Sequence, residues 1–467
     1  MSANPRSLAL DTLAGIGRGK YGNIAVDTVL KRSDLSEADR HLFTALVYGV
    51  IERQVTLDFL IDQFSDRPTD ALDEPLRLAL RMGLYQLIYM DRIPDHAAVG
   101  ETVALLPKRT RGYANAILRS YLRQSGASRE HTLTSPKAWG ERYPVLRDPA
   151  SAAKGFTPET VAFGVPLTMW EVYVQALGYA EACAVLSAFS HKPPLTLRVN
   201  PLRQATEALD TELTNEGLSP ESGLYLSTAL RLPISGDITR LPGFASGAFF
   251  VQDEASQLCV AVLGAQPGDT VIDTCACPGS KSFGMGMDMN NQGCIFAFDL
   301  HESKLSLIQK NAERLGLSII SVARRDARDP DPALIGKADR VLCDVPCSGL
   351  GVMAKKPELR HKDLSESSRL PGIQADILEA SSRYVKDGGV LVYSTCTLLP
   401  EENQNIICAF LEKHPEFSPV DFKISAKNPA VRDVCSQNGM LTLLPHLHGT
   451  DGFFIAKLTK QQRNQTS

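Results

Sequence analysis

Apolar residues recur at helical spacing throughout the first 130 residues of the chain. The clearest stretches are SLALDTLAGI, RHLFTALVYGVIERQVTLDFLIDQF and PLRLALRMGLYQLIYM. Apolar side chains three and four residues apart lie on one face of a helix, and no strand-like alternation interrupts them. The pattern therefore predicts an all-α bundle over residues 1–130.

The periodicity weakens after residue 130 and then changes in kind. Residues 131–165 hold many Pro, Gly, Ser and Ala residues, which is typical of a linker. The apolar segment MWEVYVQALGYAEACAVLSAF predicts one or two helices, and PPLTLRVNPL alternates like a strand. We therefore expect a linker with helices over residues 131–190 and a small α+β, RRM-like module over residues 191–248.

From about residue 249 onward, strand-like apolar runs alternate with helix-like segments. The runs DTVIDTCA, GCIFAFDL, ADRVLCDVP and GGVLVYSTC predict strands, and ESKLSLIQKNAERLGL and IQADILEASSRYV predict helices. This alternation indicates a parallel sheet covered by helices, here an α/β Rossmann-like domain over residues 249–460. Ligands of such sheets bind beyond the carboxyl ends of the strands. We expect the residues that follow the strands to share one crevice: Asp273 to Cys277, Asp299, Asp344 to Cys347, and Ser394 to Thr397.

Length and charge limit the class of protein. A chain of 467 residues suits two or three domains rather than a single core. The formal charge of −4 argues against a uniformly basic protein, but a local basic face is enough to contact nucleic acid. No apolar run reaches the roughly 20 residues that a membrane helix needs, and the first residues lack the apolar segment of a signal peptide. We expect a cytoplasmic protein without a membrane partner, with a monomer favoured.

The ten cysteines are scattered along the chain, which favours reduced thiols over a disulfide framework. Cys275 with Cys277, or Cys343 with Cys347, suggests zinc at first sight. No second pair stands at the spacing of a zinc site, so we expect no metal.

The turn after the first predicted strand of the α/β domain, IDTCACPGSKS, has the composition of a ligand loop. Gly279 and Ser280 are small, and the backbone amides at the start of the following helix suit a carboxylate or phosphate. The glycine spacing matches neither the dinucleotide-binding motif nor the P-loop. Asp299 at the next strand end can accept the hydroxyls of a ribose, and Asp326 follows the third strand. A nucleoside-like ligand with a charged tail, S-adenosylmethionine, fits this set.

Cys347 and Cys396 both follow predicted strands at the expected crevice. A free thiol has a pKa of about 8.5 and needs a positive or hydrogen-bonding environment to react as a thiolate, which Lys281 can supply. A thiolate beside a methyl donor suggests methylation at carbon 5 of a pyrimidine. The thiolate adds to carbon 6, carbon 5 takes the methyl group, and a base removes the carbon 5 proton. Asp344, Cys347 and Cys396 supply nucleophile, base and an acid near N3, and spacing leaves open which cysteine attacks.

The segment PKRTRGYANAILRSYLR is the first candidate for RNA contact. It interleaves basic side chains with Tyr113, Asn115 and Tyr121. Basic and aromatic groups together suit looped RNA, through phosphate neutralisation and base stacking, whereas a solvated helix face needs only the charges. Both interpretations stay open on this segment alone. The basic residues concerned are Lys108, Arg109, Arg111, Arg119 and Arg123.

Taken together, the motifs resemble a known family. VQDEASQL, DTCACPGSK, FDLHESKL, DVPCSGLG, YSTCT with LPEEN, and LPHLHGTDGFFIAKL are similar to motifs of the NOL1/NOP2/Sun family of RNA cytosine-C5 methyltransferases. The first module resembles NusB through NIAVDTVLKR, DRHLFTALVYGVIER and YANAILR. The combination is similar to the bacterial 16S ribosomal RNA methyltransferase B (Sun) type and covers nearly the whole chain.

The resemblance implies a role for each candidate residue. Cys396 is implied to be the nucleophile, Cys347 to assist breakdown of the covalent adduct, and Asp344 to contact cofactor and base. Asp299 is implied at the ribose and Asp326 near the adenine. The implied cofactor-binding residues are Cys275, Ala276, Cys277, Pro278, Gly279, Ser280, Lys281, Asp299, Asp326 and Asp344.

The sequence also departs from the family pattern. The usual cofactor loop is closer to CAAPGGK, so Cys277 and Ser280 replace Ala and Gly, and the Ser280 side chain lies where the backbone approaches a ligand. KKPELRHKDL, with Lys355, Lys356, Arg360 and Lys362, is near the family's basic stretch and is the second candidate for RNA contact, against a solvated surface.

We predict an S-adenosylmethionine-dependent enzyme that methylates carbon 5 of a cytosine in small-subunit ribosomal RNA. A related enzyme that acts on tRNA or on another rRNA cytosine is one alternative. A non-catalytic RNA-binding assembly factor is another, and the retained groups argue against it: Lys281, Asp299, Asp344, Cys347 and Cys396.

Overall fold

The computed structural model describes residues 4–18, 22–125, 129–234 and 237–462, and the chain divides into two compact units. The first unit comprises Met1–His191 with Met353–Lys362, and it is helical. Its α-helices are α1 (Pro5–Gly17), α2 (Gly22–Arg32), α3 (Glu37–Glu52), α4 (Gln54–Phe64), α5 (Glu74–Tyr89), α6 (Asp95–Ala104), α7 (Lys108–Ser125), α8 (Pro136–Arg142), α9 (Pro149–Ala152), α10 (Pro158–Phe163), α11 (Leu167–Leu177) and α12 (Tyr179–Ala188).

The helices of the first unit form where the apolar periodicity predicts them. Helix α3 begins after Ser36, whose side chain accepts a hydrogen bond from the Asp39 amide and satisfies one of the free donors of the first turn. Its inward face carries Phe43, Leu46 and Val47, all fully buried. The all-α prediction is confirmed for the described part of residues 1–130.

The linker expected over residues 131–165 is wrong, because this segment folds into α8, α9 and α10. Ser135, Asp148 and Thr157 cap these short helices, and each is followed by a proline at the first helical position. Proline suits that position because its missing amide proton would have no partner there. Trp139 is 1% exposed in the core of the unit, and its Nε1 donates to the Leu133 carbonyl.

The second unit, Lys192–Val352 with Asp363–Ser467, begins with a small antiparallel sheet. Its strand order is β2–β3–β1–β4, and the helix α13 packs on it. Leu197 of β1 pairs with Leu230 on one side and Val251 on the other, so the sheet is centred on the strand expected in PPLTLRVNPL. The elements are β1 (Leu195–Val199), α13 (Thr206–Asn215), β2 (Glu221–Ser222), β3 (Ala229–Leu232) and β4 (Phe249–Val251).

The remainder of the second unit is a mixed sheet covered by helices. Its elements are α14 (Glu254–Leu263), β5 (Thr270–Asp273), α15 (Ser280–Asp288), β6 (Cys294–Asp299), α16 (Glu302–Leu315), β7 (Ile320–Arg324), β8 (Ala338–Asp344), α17 (Leu370–Ser382), β9 (Val385–Thr395), α18 (Gln404–Lys413), β10 (Phe417–Pro419), β11 (Lys423–Ile424), β12 (Val434–Cys435), β13 (Met440–Leu443), α19 (Pro445–His448) and β14 (Phe453–Lys460).

The strand order of this sheet places a ligand crevice. The order is β10–β14–β9–β8–β5–β6–β7; β9 to β7 run parallel, and β14 runs antiparallel to β9. Val271, Ile272, Val341 and Leu342 in the central strands are fully buried, as expected of strands covered on both faces. The chain leaves β5 towards β6 on one side and later returns to β8 on the other. The carboxyl ends of β5 and β8 therefore mark the switch point at which such sheets bind ligands.

The Rossmann-like architecture predicted from the alternating pattern is confirmed by this sheet. Over the residues that the structure describes, no helix combines the length and the apolar character needed to cross a membrane.

Candidate active site

The side chains that follow the parallel strands meet at the predicted crevice. Strands β5, β6 and β8 end on Asp273, Asp299 and Asp344, and β9 ends one residue before Cys396. Asp344 pairs with Ser394 in the register of β8 with β9, so the loops that leave these two strands run side by side. The convergence follows from the parallel pairing alone.

The two candidate cysteines lie in these neighbouring loops. Cys347 Sγ is 3.2 Å from Cys396 Sγ, and both residues are half-buried. The loops are also joined beside the thiols, since the Gly351 amide donates to the Cys396 carbonyl at 2.8 Å. The two thiols are thus held as a pair with access to the crevice.

Asp344 is fixed from two sides. Lys281 Nζ lies 2.7 Å from Asp344 Oδ2, and Ser394 Oγ donates to Asp344 Oδ1 at 2.7 Å. Burial acts to lower the pKa of Lys281, but the pKa is raised overall, because the charge and hydrogen bond of Asp344 act together with the negative charge that the sulfurs of Cys259 and Cys396 carry as thiolates. The ammonium group also lies 5.2 Å from the centre of the Phe453 ring. Lys281 therefore remains a cation inside the site.

The pKa values of the cysteines in this domain depend on their different surroundings. The hydrogen bond with Cys396 raises the pKa of Cys347 well above that of a free thiol, and burial adds to the effect. Burial raises the pKa of Cys259 and of Cys343 to about 12, which leaves both protonated and unreactive near neutral pH. Burial also raises the pKa of Cys275 and, together with Asp299, that of Cys277.

The loop after β5 has the close backbone packing of a ligand cradle. Gly279 has φ of 101°, and an added Cβ would lie 2.4 Å from the Phe283 ring, so glycine is required there. Helix α15 starts at the next residue, Ser280, and Lys281 follows it. The Cys277 amide donates to Asp299 Oδ2 at 3.2 Å, which ties the loop to the end of β6.

These residues fit S-adenosylmethionine. The start of α15 offers backbone amides to a carboxylate, and Asp299 offers acceptor oxygens for ribose hydroxyls. Asp326 follows β7, and Arg328 lies 2.7 Å from it; hydrogen bonds from Arg328 lower the pKa of the Asp326 carboxyl. The position of Asp326 near the adenine stays a prediction.

Asp273 is a polar group of the site whose properties the sequence did not reveal. It is fully buried and accepts a hydrogen bond from Ser282 Oγ at 2.6 Å. Burial raises its pKa to about 7. Its position at a strand end was the only signal in the sequence. Glu402 and Asn403, within the LPEEN motif, are further buried polar residues that the sequence did not single out.

The first candidate for RNA contact is an exposed helix. Arg109 in α7 has a side chain that is 80% exposed, and Arg119 is exposed while its Nε donates to Asn115 Oδ1. Arg111 is exposed, but its Nη2 donates to the Ala104 carbonyl at 3.0 Å, which caps the end of α6, and its Nε donates to the Leu106 carbonyl at 2.8 Å. Tyr121 is buried, so it does not present its ring for base stacking.

The second candidate divides into exposed and buried residues. Lys355 and Lys356 are exposed. The assignment of Arg360 to RNA contact is wrong, because its side chain is fully buried in the helical unit. Its guanidinium donates to the carbonyls of Phe163 at 3.1 Å and Phe189 at 2.9 Å. These two carbonyls stand at the ends of α10 and α12, where a cation is favoured.

Three family models match the chain and together cover most of it. The model described as 16S rRNA methyltransferase RsmB/F matches residues 260–459. The NusB family model matches residues 3–123, and the ferredoxin-like domain of RsmF/B-like methyltransferases matches residues 165–239.

Curated relatives are similar over their full length. A probable ribosomal RNA small subunit methyltransferase B from Synechocystis is 36% identical, over 97% of this chain and 99% of the relative. The protein of the same description from Bacillus subtilis is 34% identical over 98% of each chain. The ribosomal RNA small subunit methyltransferase B of Pseudomonas putida is 33% identical over 98% of each chain.

Solved structures share the fold. The crystal structure of PH0851 is 26% identical, with a TM-score of 0.76 over 98% of this chain and all of the other. NSun6 from Pyrococcus horikoshii, determined with SFG, is 24% identical, with a TM-score of 0.56 over 63% of this chain and 98% of the other.

The sheet, the glycine-containing loop and the acidic strand ends define a Rossmann-like methyltransferase whose cofactor is S-adenosylmethionine. With the relatives' full-length similarity, the chain belongs to the RsmB/F family of 16S rRNA methyltransferases, and the resemblance seen in its motifs is confirmed.

Proposed function

We propose that this enzyme methylates carbon 5 of a cytosine in 16S ribosomal RNA through a covalent bond between a cysteine and carbon 6. The observation that supports this most is the pair of thiols 3.2 Å apart beside the Lys281–Asp344 ion pair. Methylation of an amino group needs no nucleophilic thiol, whereas carbon 5 becomes nucleophilic only after something adds to carbon 6. Paired thiols at the switch point of the sheet suit the second reaction.

Cys396 is proposed as the nucleophile. The raised pKa of Cys347 makes that residue the protonated member of the pair near neutral pH. Lys281 is a buried cation whose charge interacts with Cys396, and such a setting favours a thiolate. The Cys396 thiolate forms a bond to carbon 6, and the electron pair of the 5,6 double bond moves to carbon 5. When bound, S-adenosylmethionine supplies the methyl group as an electrophile.

Asp344 is proposed to act at N3 of the cytosine and to contact the cofactor. Its two oxygens are held by Lys281 and Ser394, so the carboxyl group keeps one orientation. A fixed polar group at the place where charge develops lowers the barrier without reorganising during the reaction. The positive charge of Lys281 compensates the negative charge of Asp344 and so offsets the cost of enclosing the carboxylate in the site.

Cys347 is proposed to assist the release of the product. After methylation, carbon 5 carries both a methyl group and a proton. In the adduct, Cys396 is bonded to carbon 6, and its hydrogen bond and charge no longer raise the pKa of Cys347, so Cys347 can release its proton to solvent. The Cys347 thiolate then takes the carbon 5 proton, the 5,6 double bond forms again, and the bond between carbon 6 and Cys396 breaks, which returns the Cys396 thiolate. A sulfur 3.2 Å from Cys396 lies close to the breaking bond.

Helix α7 is proposed to contact the RNA. Arg109, Arg111 and Arg119 are exposed along it and can neutralise phosphates, and Asn115 lies between them. Lys355 and Lys356 are a further exposed pair. A ribosomal RNA substrate also supports the cytoplasmic location expected from the sequence.

Nucleoside analysis of the product tests the proposed reaction. The purified protein is incubated with methyl-labelled S-adenosylmethionine and unmodified 16S rRNA, and the RNA is digested to nucleosides. We expect the label in 5-methylcytidine. Label in an N4-methylated or ribose-methylated nucleoside would contradict the proposal, and label in tRNA but not in 16S rRNA would reassign the substrate.

A further inference from the structure

A buried polar cluster lies behind the two cysteine loops and has no part in the reaction described above. It consists of Glu402, Asn403 and Gln374, which are 2%, 0% and 0% exposed. Glu402 ends a short 3-10 helix, Pro400–Glu402, Asn403 directly precedes α18, and Gln374 lies in α17. A carboxylate is rarely buried to this extent unless polar groups compensate its charge.

Glu402 holds the loop of Cys347. Its Oε2 accepts hydrogen bonds from the Ser348 amide at 2.9 Å and from Gln374 Nε2 at 2.7 Å. Gln374 Nε2 also donates to the Pro346 carbonyl at 3.0 Å. The residues immediately before and after Cys347 are therefore both fixed by the same acidic cluster.

Asn403 holds the loop of Cys396 in the same manner. Its Nδ2 donates to the Thr397 carbonyl at 2.9 Å, and its Oδ1 accepts from Thr395 Oγ1 at 2.5 Å. The residues on both sides of Cys396 are thus fixed by Asn403. Glu402 therefore holds the loop of Cys347, and the next residue in the chain, Asn403, holds the loop of Cys396.

The negative charge of Glu402 acts on the Cys347 thiol. The hydrogen bond with Cys396 and burial raise the pKa of Cys347 most, and the charge of Glu402 raises it further. Glu402 Oε1 has no hydrogen-bond donor in the described part of the chain. The cluster therefore acts on Cys347 through the charge of Glu402 as well as through the hydrogen bonds that fix its loop.

We propose that Glu402 is a positioning residue for Cys347, which it holds in place to act on the covalent adduct, while Asn403 positions Cys396 for attack. This inference rests on the roles proposed above for the two cysteines. Glu402 contacts neither substrate nor cofactor in this account and acts only through the loop that it binds. Its loss is expected to change the release of the product rather than the formation of the adduct.

The test compares two adjacent glutamates with methyl-labelled S-adenosylmethionine and unmodified 16S rRNA. Glu402→Gln keeps the shape of the side chain and removes its charge, and Glu401→Gln is the matched control because Glu401 is exposed. We expect Glu402→Gln to form the adduct normally and to release it about 10- to 100-fold more slowly, since small displacements of a reacting group have effects of this size. A denaturation-resistant protein–RNA band then accumulates. The Glu401→Gln variant should behave as wild type.

Two further variants separate positioning from general loss of structure. Asn403→Asp keeps the acceptor for Thr395 but removes the donor to Thr397, and we expect it to slow adduct formation instead of release. The double variant Cys347→Ala with Glu402→Gln should release no more slowly than Cys347→Ala alone. Should Glu402→Gln fail to fold, Gln374→Met removes the donor to Pro346 and should show the same accumulation.

The outcomes distinguish this inference from the proposed function. Accumulation of adduct by Cys347→Ala but not by Glu402→Gln overturns the inference alone. The inference is also overturned if Glu402→Gln and Asn403→Asp lose adduct formation and S-adenosylmethionine affinity to the same extent. Such a result would indicate that the cluster only maintains the fold. Absence of the adduct with Cys347→Ala contradicts the proposed role of Cys347, and the inference fails with it.

Discussion

Lys281 Nζ lies 2.7 Å from Asp344 Oδ2, and their side chains are only 11% and 26% exposed. The contact joins the helix that follows β5 to the end of β8, the two strands between which the sheet order reverses. Charged groups so enclosed are stable as a pair, and removing one partner leaves the other charge uncompensated at a cost of about 3–5 kcal/mol. The ion pair is therefore a structural requirement of the site as well as a proposed part of its chemistry.

Lys281→Met should reduce methyl transfer by about 100-fold or more, the usual effect of removing a group that stabilises charge in a reaction. The measurement is the initial rate of label transfer to 16S rRNA, with thermal unfolding followed in parallel. Lys386→Met is the control, because Lys386 pairs with Asp339 at the opposite end of β8 and its side chain is 47% exposed. A partly exposed pair of this kind contributes about 1 kcal/mol at most. Equal rates for the two variants would contradict the role of Lys281.

Gly279→Ala should weaken the binding of S-adenosylmethionine. The backbone at Gly279 has φ of 101°, and the added Cβ would meet the Phe283 ring, so we expect a strain of about 1–3 kcal/mol in the loop. Gly372→Ala in α17 is the control, since no atom lies within 4 Å of its added Cβ. Calorimetric titration with S-adenosylmethionine measures both affinities. Unchanged affinity in Gly279→Ala would show that this loop does not bind the cofactor.

The stability of the protein should depend on pH through Asp273, whose pKa is raised to about 7 by burial from 3.8. At pH values below 3.8, Asp273 is protonated in both the folded and the unfolded state. The free energy of unfolding is then at its highest as far as this residue is concerned. As the pH rises towards 7, the unfolded state loses its proton first. The free energy of unfolding therefore falls by about 1.4 kcal/mol per pH unit and levels off above pH 7.

Asp273→Asn should remove this fall in stability. Denaturation midpoints measured at intervals between pH 5 and pH 7 should decline less in Asp273→Asn than in wild type. Asp387→Asn is the control, because Asp387 is exposed. A decline of the same slope in wild type and Asp273→Asn would show that Asp273 is ionised in the folded state throughout this range.

Arg360→Met should destabilise the protein without changing the electrostatic part of RNA binding. Arg360 is fully buried and donates to two backbone carbonyls, so we expect a loss of about 3 kcal/mol or more. Lys356→Met is the matched variant, since Lys356 is exposed four residues earlier. It should keep the stability of wild type and lower the salt dependence of RNA binding. If Arg360→Met instead lowered the salt dependence of RNA binding and Lys356→Met destabilised the protein, Arg360 would be an RNA contact after all.

The sequence predicted the parts of the fold that depend on repeated patterns. The runs that end at Asp273, Asp299 and Asp344 are strands, and parallel pairing alone brings their ends to one edge of the sheet. The proposed position of the cofactor crevice rests on this topology and on the small residues around Gly279, and it stays a prediction. The nearness of Cys347 to Cys396 followed as well, because both residues leave adjacent strands.

Features that depend on single tertiary contacts could not be predicted. Arg360 belongs to a basic stretch, and only the fold shows that its guanidinium is enclosed by the ends of two helices. The segment containing Trp139 resembles a linker because proline occurs both in loops and at helix starts. Glu402 stands beside the exposed Glu401, and the sequence gives no reason to bury one of them.

The gel assay for a covalent adduct tests the central claim most directly. Wild type, Cys396→Ala and Cys347→Ala are each incubated with labelled S-adenosylmethionine and unmodified 16S rRNA and then separated under denaturing conditions. We expect label in RNA with wild type, no label and no adduct with Cys396→Ala, and a slow-migrating protein–RNA band with Cys347→Ala. An adduct in Cys396→Ala would reverse the roles of the two cysteines. Methyl transfer at the wild-type rate by Cys396→Ala would contradict covalent catalysis by this thiol.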